Sequence, residues 1–175
     1  INPFEFAWQL TPESSFLTPE AVLVYSEAGF NGMSQSFHHF FQEHLISPRW
    51  SHKKRPVLIN NWEATYFDFD SEKLLQIAEK AAAIGVDLFV LDDGWFGTRN
   101  SDDGSLGNWQ VQQAKIPEGI AAFATKINRL GLAFGLWFEP EMISPNSKLY
   151  EEHPDWCIHV PDRKRSLLRN QLVLD

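Results

Sequence analysis

Val86-Asp87-Leu88-Phe89-Val90-Leu91-Asp92-Asp93-Gly94-Trp95-Phe96 is the stretch whose reading decides the fold. It opens as a short apolar run of β-branched, aliphatic and aromatic residues. Such a run reads as a strand buried on both faces, as in parallel sheets. It closes on two carboxylates, a glycine and two aromatics. A strand that delivers acids and a tryptophan at its C-terminal end matches the functional face of a (β/α) barrel. Neighbouring side chains on a strand point to opposite faces, so Asp92 and Asp93 diverge unless the chain turns. Gly94 supplies that turn. Asp-Asp-Gly on its own is equally ordinary turn chemistry, so the flanking segments decide between the two.

They repeat the pattern on both sides. Pro56-Val57-Leu58-Ile59-Asn60-Asn61-Trp62 is a short apolar strand ending in polar and aromatic residues. Asp70 is placed to cap a helix over Ser71–Ile84, with Leu74, Ala78, Ala81 and Ala82 as its buried stripe and Gly85 as its left-handed stop. After the central strand comes a long polar loop, Gly97 to Lys115. Pro117 then opens a helix over Glu118–Leu130, with Ile120, Phe123, Ala124, Ile127 and Leu130 on one side. Gly131 ends it, and Leu132-Ala133-Phe134-Gly135-Leu136-Trp137-Phe138 is a third apolar strand followed by Glu139-Pro140-Glu141. Strand, helix, strand, helix, strand predicts parallel strands joined by right-handed crossovers. A doubly wound sheet fits the same alternation, but its first turn is usually glycine-rich, and Asn60-Asn61-Trp62 is not. The expected fold class is therefore α/β, the N-terminal part of a (β/α)8 barrel beginning at Arg55.

Residues 1–54 read as a lead-in. Thr11-Pro12-Glu13 and Thr18-Pro19-Glu20 are turn signals. Ala21–Tyr25 is expected to be a strand. Met33, Phe37, Phe40, Phe41, His44 and Leu45 recur at helical spacing, which predicts an amphipathic helix. His38, His39 and His44 lie on it without a carboxylate or cysteine at ligand spacing, so no metal site is expected. Ser47–Lys54 is a polar linker carrying Pro48. Ile1-Asn2-Pro3-Phe4-Glu5, with no basic leader and no initiating methionine, reads as a cut through a longer protein, and Asp175 after Leu172-Val173-Leu174 reads as another.

Composition narrows the function. The 175 residues suit one domain, and 43% of them are hydrophobic, enough for a packed core. A formal net charge of −8 argues against a nucleic-acid partner, and Arg163-Lys164-Arg165, beside Asp162, reads as a solvated loop. No apolar run reaches the roughly 18 residues that a membrane helix needs. Cys157 is the one cysteine, so no internal disulfide is available; a reducing, cytoplasmic setting is expected, with no cofactor and no metal. Seven tryptophans accompany an aromatic content of 14%, and flat rings stack on the apolar face of a pyranose.

All three strand ends carry related chemistry. The first offers Asn60, Asn61, Trp62 and Glu63, the second Asp92, Asp93 and Trp95, the third Trp137, Glu139 and Glu141. Carboxylates accept hydrogen bonds from hydroxyls, while aromatic faces cover C–H surfaces. Core packing accounts for most single tryptophans, yet one at each of three successive strand ends describes a pocket for a polyhydroxylated ring.

Asn61-Trp62-Glu63-Ala64-Thr65-Tyr66-Phe67-Asp68-Phe69, Leu91-Asp92-Asp93-Gly94-Trp95-Phe96-Gly97-Thr98-Arg99 and Gly135-Leu136-Trp137-Phe138-Glu139-Pro140-Glu141-Met142 resemble the α-galactosidases of glycoside hydrolase family 36, the melibiases. The likeness extends to Thr18-Pro19-Glu20-Ala21-Val22 with Tyr25-Ser26, to His153-Pro154-Asp155-Trp156, and to Arg169-Asn170-Gln171-Leu172-Val173-Leu174-Asp175. One departure is Gly107-Asn108-Trp109, where many relatives carry Asp between Gly and Trp.

The resemblance implies a retaining α-galactosidase that removes terminal α-linked galactose from melibiose- or raffinose-type oligosaccharides, in a homo-oligomeric parent. It implies a β-sandwich before residues 1–54 and a catalytic barrel over 55–175 and beyond. Asp92 and Asp93 would then hydrogen-bond the galactose hydroxyls at carbons four and six. Trp62 and Trp137 would wall the pocket, and Arg169 would contact the sugar or the surroundings of the nucleophile. The family's nucleophile lies in Lys-Trp-Asp-Met-Asn, with the acid/base Asp further on, and neither motif occurs in these residues. Retaining hydrolysis needs two carboxyl groups about 5–5.5 Å apart, and the acids present belong to binding positions instead. An α-N-acetylgalactosaminidase, or a galactosyltransferase of the raffinose-synthase type, shares the scaffold. A non-catalytic carbohydrate-binding module is the reading from another class.

Overall fold

The computed structural model describes residues 6–165 and 168–175; Ile1–Glu5, the segment read above as a cut, lies outside them. The chain divides into two compact units, Ile1–Lys54 and Arg55–Asp175.

In the first unit, helix α1 (Gly29–Phe40) runs into a wider π turn at Phe41–Leu45. Its stripe is an aromatic ladder: Phe37 and Phe41 stack at 5.8 Å, and Phe40 meets His44 at 5.1 Å. The expected polar linker contains a short helix, α2 (Pro48–Ser51), because Pro48 is already set for the first helical position. Ala21–Tyr25, expected as a strand, has no regular structure, and Leu23 is 94% exposed. A strand needs a neighbour to take its backbone hydrogen bonds, and none of the described residues of this unit supplies one. Among the described residues no cluster of His, Cys, Asp and Glu is placed to hold a metal, the three histidines of this segment included.

The second unit is built on three strands, β1 (Leu58–Asn60), β2 (Leu88–Leu91) and β3 (Ala133–Leu136), separated in the chain by helices. A helical turn, α3 (Trp62–Thr65), follows β1, and α4 (Ser71–Ala83) leads back to β2. Helix α5 (Ile120–Arg129) leads back to β3. The strands lie side by side in the order β1-β2-β3, both pairs parallel, with Ile59 opposite Phe89 and Phe89 opposite Phe134. The parallel arrangement expected from the alternation is thus the one observed.

The helix signals act where they stand in the sequence. Asp70 accepts a hydrogen bond from the backbone N–H of Lys73 at 2.8 Å, and Gly85 and Gly131 take φ of 87° and 85° just past the two helices. Pro117 falls outside α5, which starts later than expected, after Gly119 at φ 81°. Leu74 and Ala78 of α4, Phe123 and Ile127 of α5 and Phe89 and Leu91 of β2 close one fully buried core. The opposite face of the sheet carries Leu58, Leu88, Val90 and Gly135 and is more open, with Leu58 52% exposed.

The chain then leaves this sheet. Strand β4 (Met142–Ile143) precedes α6 (Lys148–Glu152), and β5 (Leu172–Val173) returns to pair with β4 antiparallel around Ile143, Cys157 and Leu172. Leu172–Leu174 therefore does not extend the edge of the three-stranded sheet.

Candidate functional site

The C-terminal ends of β1, β2 and β3 meet at one rim, and buried polar side chains knit them together. Asn61, fully buried, accepts from the backbone N–H of Asp92 (2.8 Å) and donates to Thr65 Oγ1 (2.8 Å). Asn60 donates its amide to Asp92 Oδ2, while its own carbonyl accepts the backbone N–H of Trp62 at 2.7 Å. Each paired polar group here replaces water that burial has removed, and leaving one unpaired would cost about 1–3 kcal/mol.

The two adjacent acids have separate surroundings. Asp92 is half-buried at the rim, and its Oδ1 accepts the N–H of Asp93 at 2.7 Å. Asp93 is 3% exposed and lies against Arg99, itself 1% exposed. The guanidinium reaches both carboxylate oxygens, with Nε 2.9 Å from Oδ1 and Nη2 2.8 Å from Oδ2, and its Nη1 donates to the carbonyl of Gly104 at 2.6 Å. Gly94, at φ 94°, makes the turn between acids and aromatics. A Cβ there would lie 2.9 Å from the Phe67 ring and 3.3 Å from Lys115 Nζ, so that turn admits no side chain.

Trp62 starts α3 instead of continuing the strand, and its ring meets Tyr66 and Phe67 edge-on at 5.3 and 5.0 Å. Trp137 follows β3 one residue past the paired Leu91 and Leu136, with its N–H donating to Leu91 O at 2.9 Å. It lies parallel to Phe96 at 6.4 Å, and its carbonyl accepts Trp95 Nε1 at 3.0 Å. Trp62 and Asp92 are therefore tied through Asn60, and Trp137 is tied to the end of β2. Asp93 sits behind them, enclosed by Arg99. Arg169 pairs with Asp102 at 3.3 Å, on a backbone at φ 55°, beside Asn170, which donates to Asp103 O at 3.0 Å.

Glu139, after β3, joins this group through its field. Burial raises its carboxyl pKa above the usual 4.5; Arg169 opposes the shift, Glu141 adds to it, and to a smaller extent Arg99 lowers it and Asp93 raises it. The structure also exposes what reasoning from sequence overlooked: the Asn60–Asp92 contact, the Asn61 bridge, the Arg99 clamp and Lys115. Asn60, Asn61 and Arg99 stood in the strand-end stretches as residue types, whereas Lys115 carried no signal beyond closing the loop. The departure at Asn108 has a local use, since its Oδ1 accepts the backbone N–H of Lys148 at the start of α6 at 2.9 Å. A cleft of about 610 Å³ lies beyond the rim, along Gly97, Asn108, Trp109, Lys148 and Glu152, and includes none of the five site residues expected from sequence.

A family model described as Melibiase matches residues 15–175. The chain is 58% identical to the α-galactosidase AgaA of Geobacillus stearothermophilus and 53% identical to the α-galactosidase Mel36A of Lactobacillus acidophilus, over its whole length and 24% of theirs. It therefore spans about a quarter of these relatives. The crystal structure of the Geobacillus enzyme superposes with a TM-score of 0.92 at 58% identity, covering 100% of this chain and 24% of that one. A variant of that enzyme solved with stachyose superposes equally well, with a TM-score of 0.92.

Proposed function

We propose, from the premise that this chain belongs to the Melibiase family, that it is the segment of a retaining α-galactosidase that binds the galactose ring. The observation that carries this reading is the 58% identity with an α-galactosidase across all 175 residues. On this reading residues 1–54 lead in from a β-sandwich, and 55–175 begin a (β/α)8 barrel whose interior is the open face of the three-stranded sheet. The whole protein takes α-galactoside oligosaccharides of the raffinose and stachyose kind, the ligand class seen with a relative. It works as a homo-oligomer in the cytoplasm, the latter supported by the single free thiol of Cys157.

The division of labour follows from charge and access. Asp92, at the rim and oriented by Asn60 and Asn61, accepts hydrogen bonds from the galactose hydroxyls at carbons four and six. Asp93 contributes at the same hydroxyls through whatever face Arg99 leaves open, and holds the turn that aims Asp92. Trp62 and Trp137 cover the apolar side of the ring, and Arg169 lies on its approach. The nucleophile and the acid/base are aspartates supplied by chain beyond Asp175. The test is Asp92→Ala in the full-length enzyme. A hydrogen bond to an ionised group is worth roughly 1.5–3 kcal/mol, so galactose affinity should fall about ten- to a hundredfold. Unchanged galactose inhibition and turnover would remove Asp92 from the site.

A further inference from the structure

Lys115 ends the long loop after β2, and its side chain turns inward, leaving the residue only 9% exposed. A buried ammonium is costly unless its donors are used. Here Nζ donates to the carbonyls of Gly94 at 3.1 Å and Arg99 at 3.3 Å, the two ends of the turn that carries the clamp on Asp93. It also lies 4.5 Å from the ring centre of Phe69 and 5.9 Å from that of Phe67, within cation–π range of both. Its own carbonyl accepts the N–H of Ser71 at 2.9 Å, which fastens the loop's end to the start of α4. Phe67 is shared: its ring meets Trp62 edge-on at 5.0 Å, and the Arg99 guanidinium lies 5.9 Å from its centre. One cation thus touches the turn after the acids and the aromatic support of Trp62.

We propose that Lys115 is a positioning residue for the sugar site, its ammonium bolting the Gly94–Arg99 turn to the Phe67–Phe69 aromatic pair so that Asp92, Asp93 and Trp62 hold one geometry. The proposal rests on the galactose-binding reading above. Lys115 itself does not touch sugar. Methionine has a similar length and an apolar end that suits the two phenyl rings, so Lys115→Met keeps the packing and removes both hydrogen bonds. The two carbonyls then lose their tether, and the turn relaxes. Small misplacements of positioned groups are expensive in binding and rate.

In the full-length enzyme, Lys115→Met should raise KM for a chromogenic α-galactoside and Ki for galactose about tenfold, with kcat changed much less and the melting temperature held within a few degrees. Lys115→Arg, which keeps a cation and donors, should recover part of the loss. A merely structural role would lower stability and the yield of active enzyme with KM and Ki unmoved. Asp92→Ala, measured in parallel, separates the two claims. If it weakens galactose while folded Lys115→Met binds normally, the positioning role is overturned and the site reading stands. If neither variant changes galactose binding, the site reading falls first. Should Lys115→Met not fold, Phe69→Leu, which removes the nearer ring face, is measured the same way. It should raise Ki about threefold, and an unchanged Ki overturns the proposal.

Discussion

Arg99→Met should be the most destabilising single change at the rim. In the native protein the side chains of Arg99 and Asp93 are 0% and 4% exposed, so their attraction is little screened. The substitution takes Nε and Nη2 from Asp93, leaving the Gly94 N–H at 2.7 Å on Oδ1 and neither guanidinium donor on Oδ2. It also strips the Gly104 carbonyl of its 2.6 Å donor. Removing one partner of a buried ion pair costs about 3–5 kcal/mol, because the other charge stays buried and unpaired. An orphaned carbonyl adds on the order of 1 kcal/mol. Urea unfolding of Arg99→Met should therefore show a loss of about 4–6 kcal/mol. Asp93→Asn removes the uncompensated charge, so Asp93→Asn/Arg99→Met should be more stable than Arg99→Met alone, with a coupling above about 2 kcal/mol. A cost for Arg99→Met below about 1 kcal/mol, the scale of an exposed pair, would refute this account. Strict additivity in the double variant would do so as well.

A polypeptide of these 175 residues should not hydrolyse a chromogenic α-galactoside, since no covalent glycosyl-enzyme forms without the nucleophile and the leaving oxygen departs unprotonated without the acid. Turnover by the purified chain, after a control for host enzyme, would show that the catalytic acids have been misplaced. Glu139 should impose a pH slope on stability. Its pKa is raised on folding, chiefly by burial, so the folded state keeps a proton that the unfolded state releases. Its contribution is complete below the ordinary carboxyl value of 4.5 and is lost as pH rises through the folded value. Glu139→Gln should flatten that part of the melting-temperature profile, and an identical profile in the variant would exclude the effect.

Local signals set much of this protein before any long-range contact forms. Alternating apolar runs and helical stripes were legible because their periods are properties of neighbouring residues, and Asp70, Gly85 and Gly131 mark helix ends through bonds and torsions within a few residues. Parallel pairing followed from those elements, since short helical crossovers allow little else. The acids and tryptophans at the strand ends were legible as residue types, as was the family resemblance.

Their individual environments were decided in three dimensions. Trp62 begins a helical turn because Asn60 and Asn61 meet the end of β2 and bend the chain there. The adjacent acids differ because Arg99 and the Gly94 turn enclose one and leave the other at the rim. Lys115 reads in sequence as a loop lysine, and only tertiary packing brings two phenyl rings and two carbonyls to its ammonium. Ala21–Tyr25 and Leu172–Val173 share a strand-like composition, yet only the second is a strand, since only there does a partner, Met142–Ile143, lie alongside. Periodicity is local, whereas hydrogen-bond pairing and charge burial depend on groups tens of residues away, and those meet only in the folded chain.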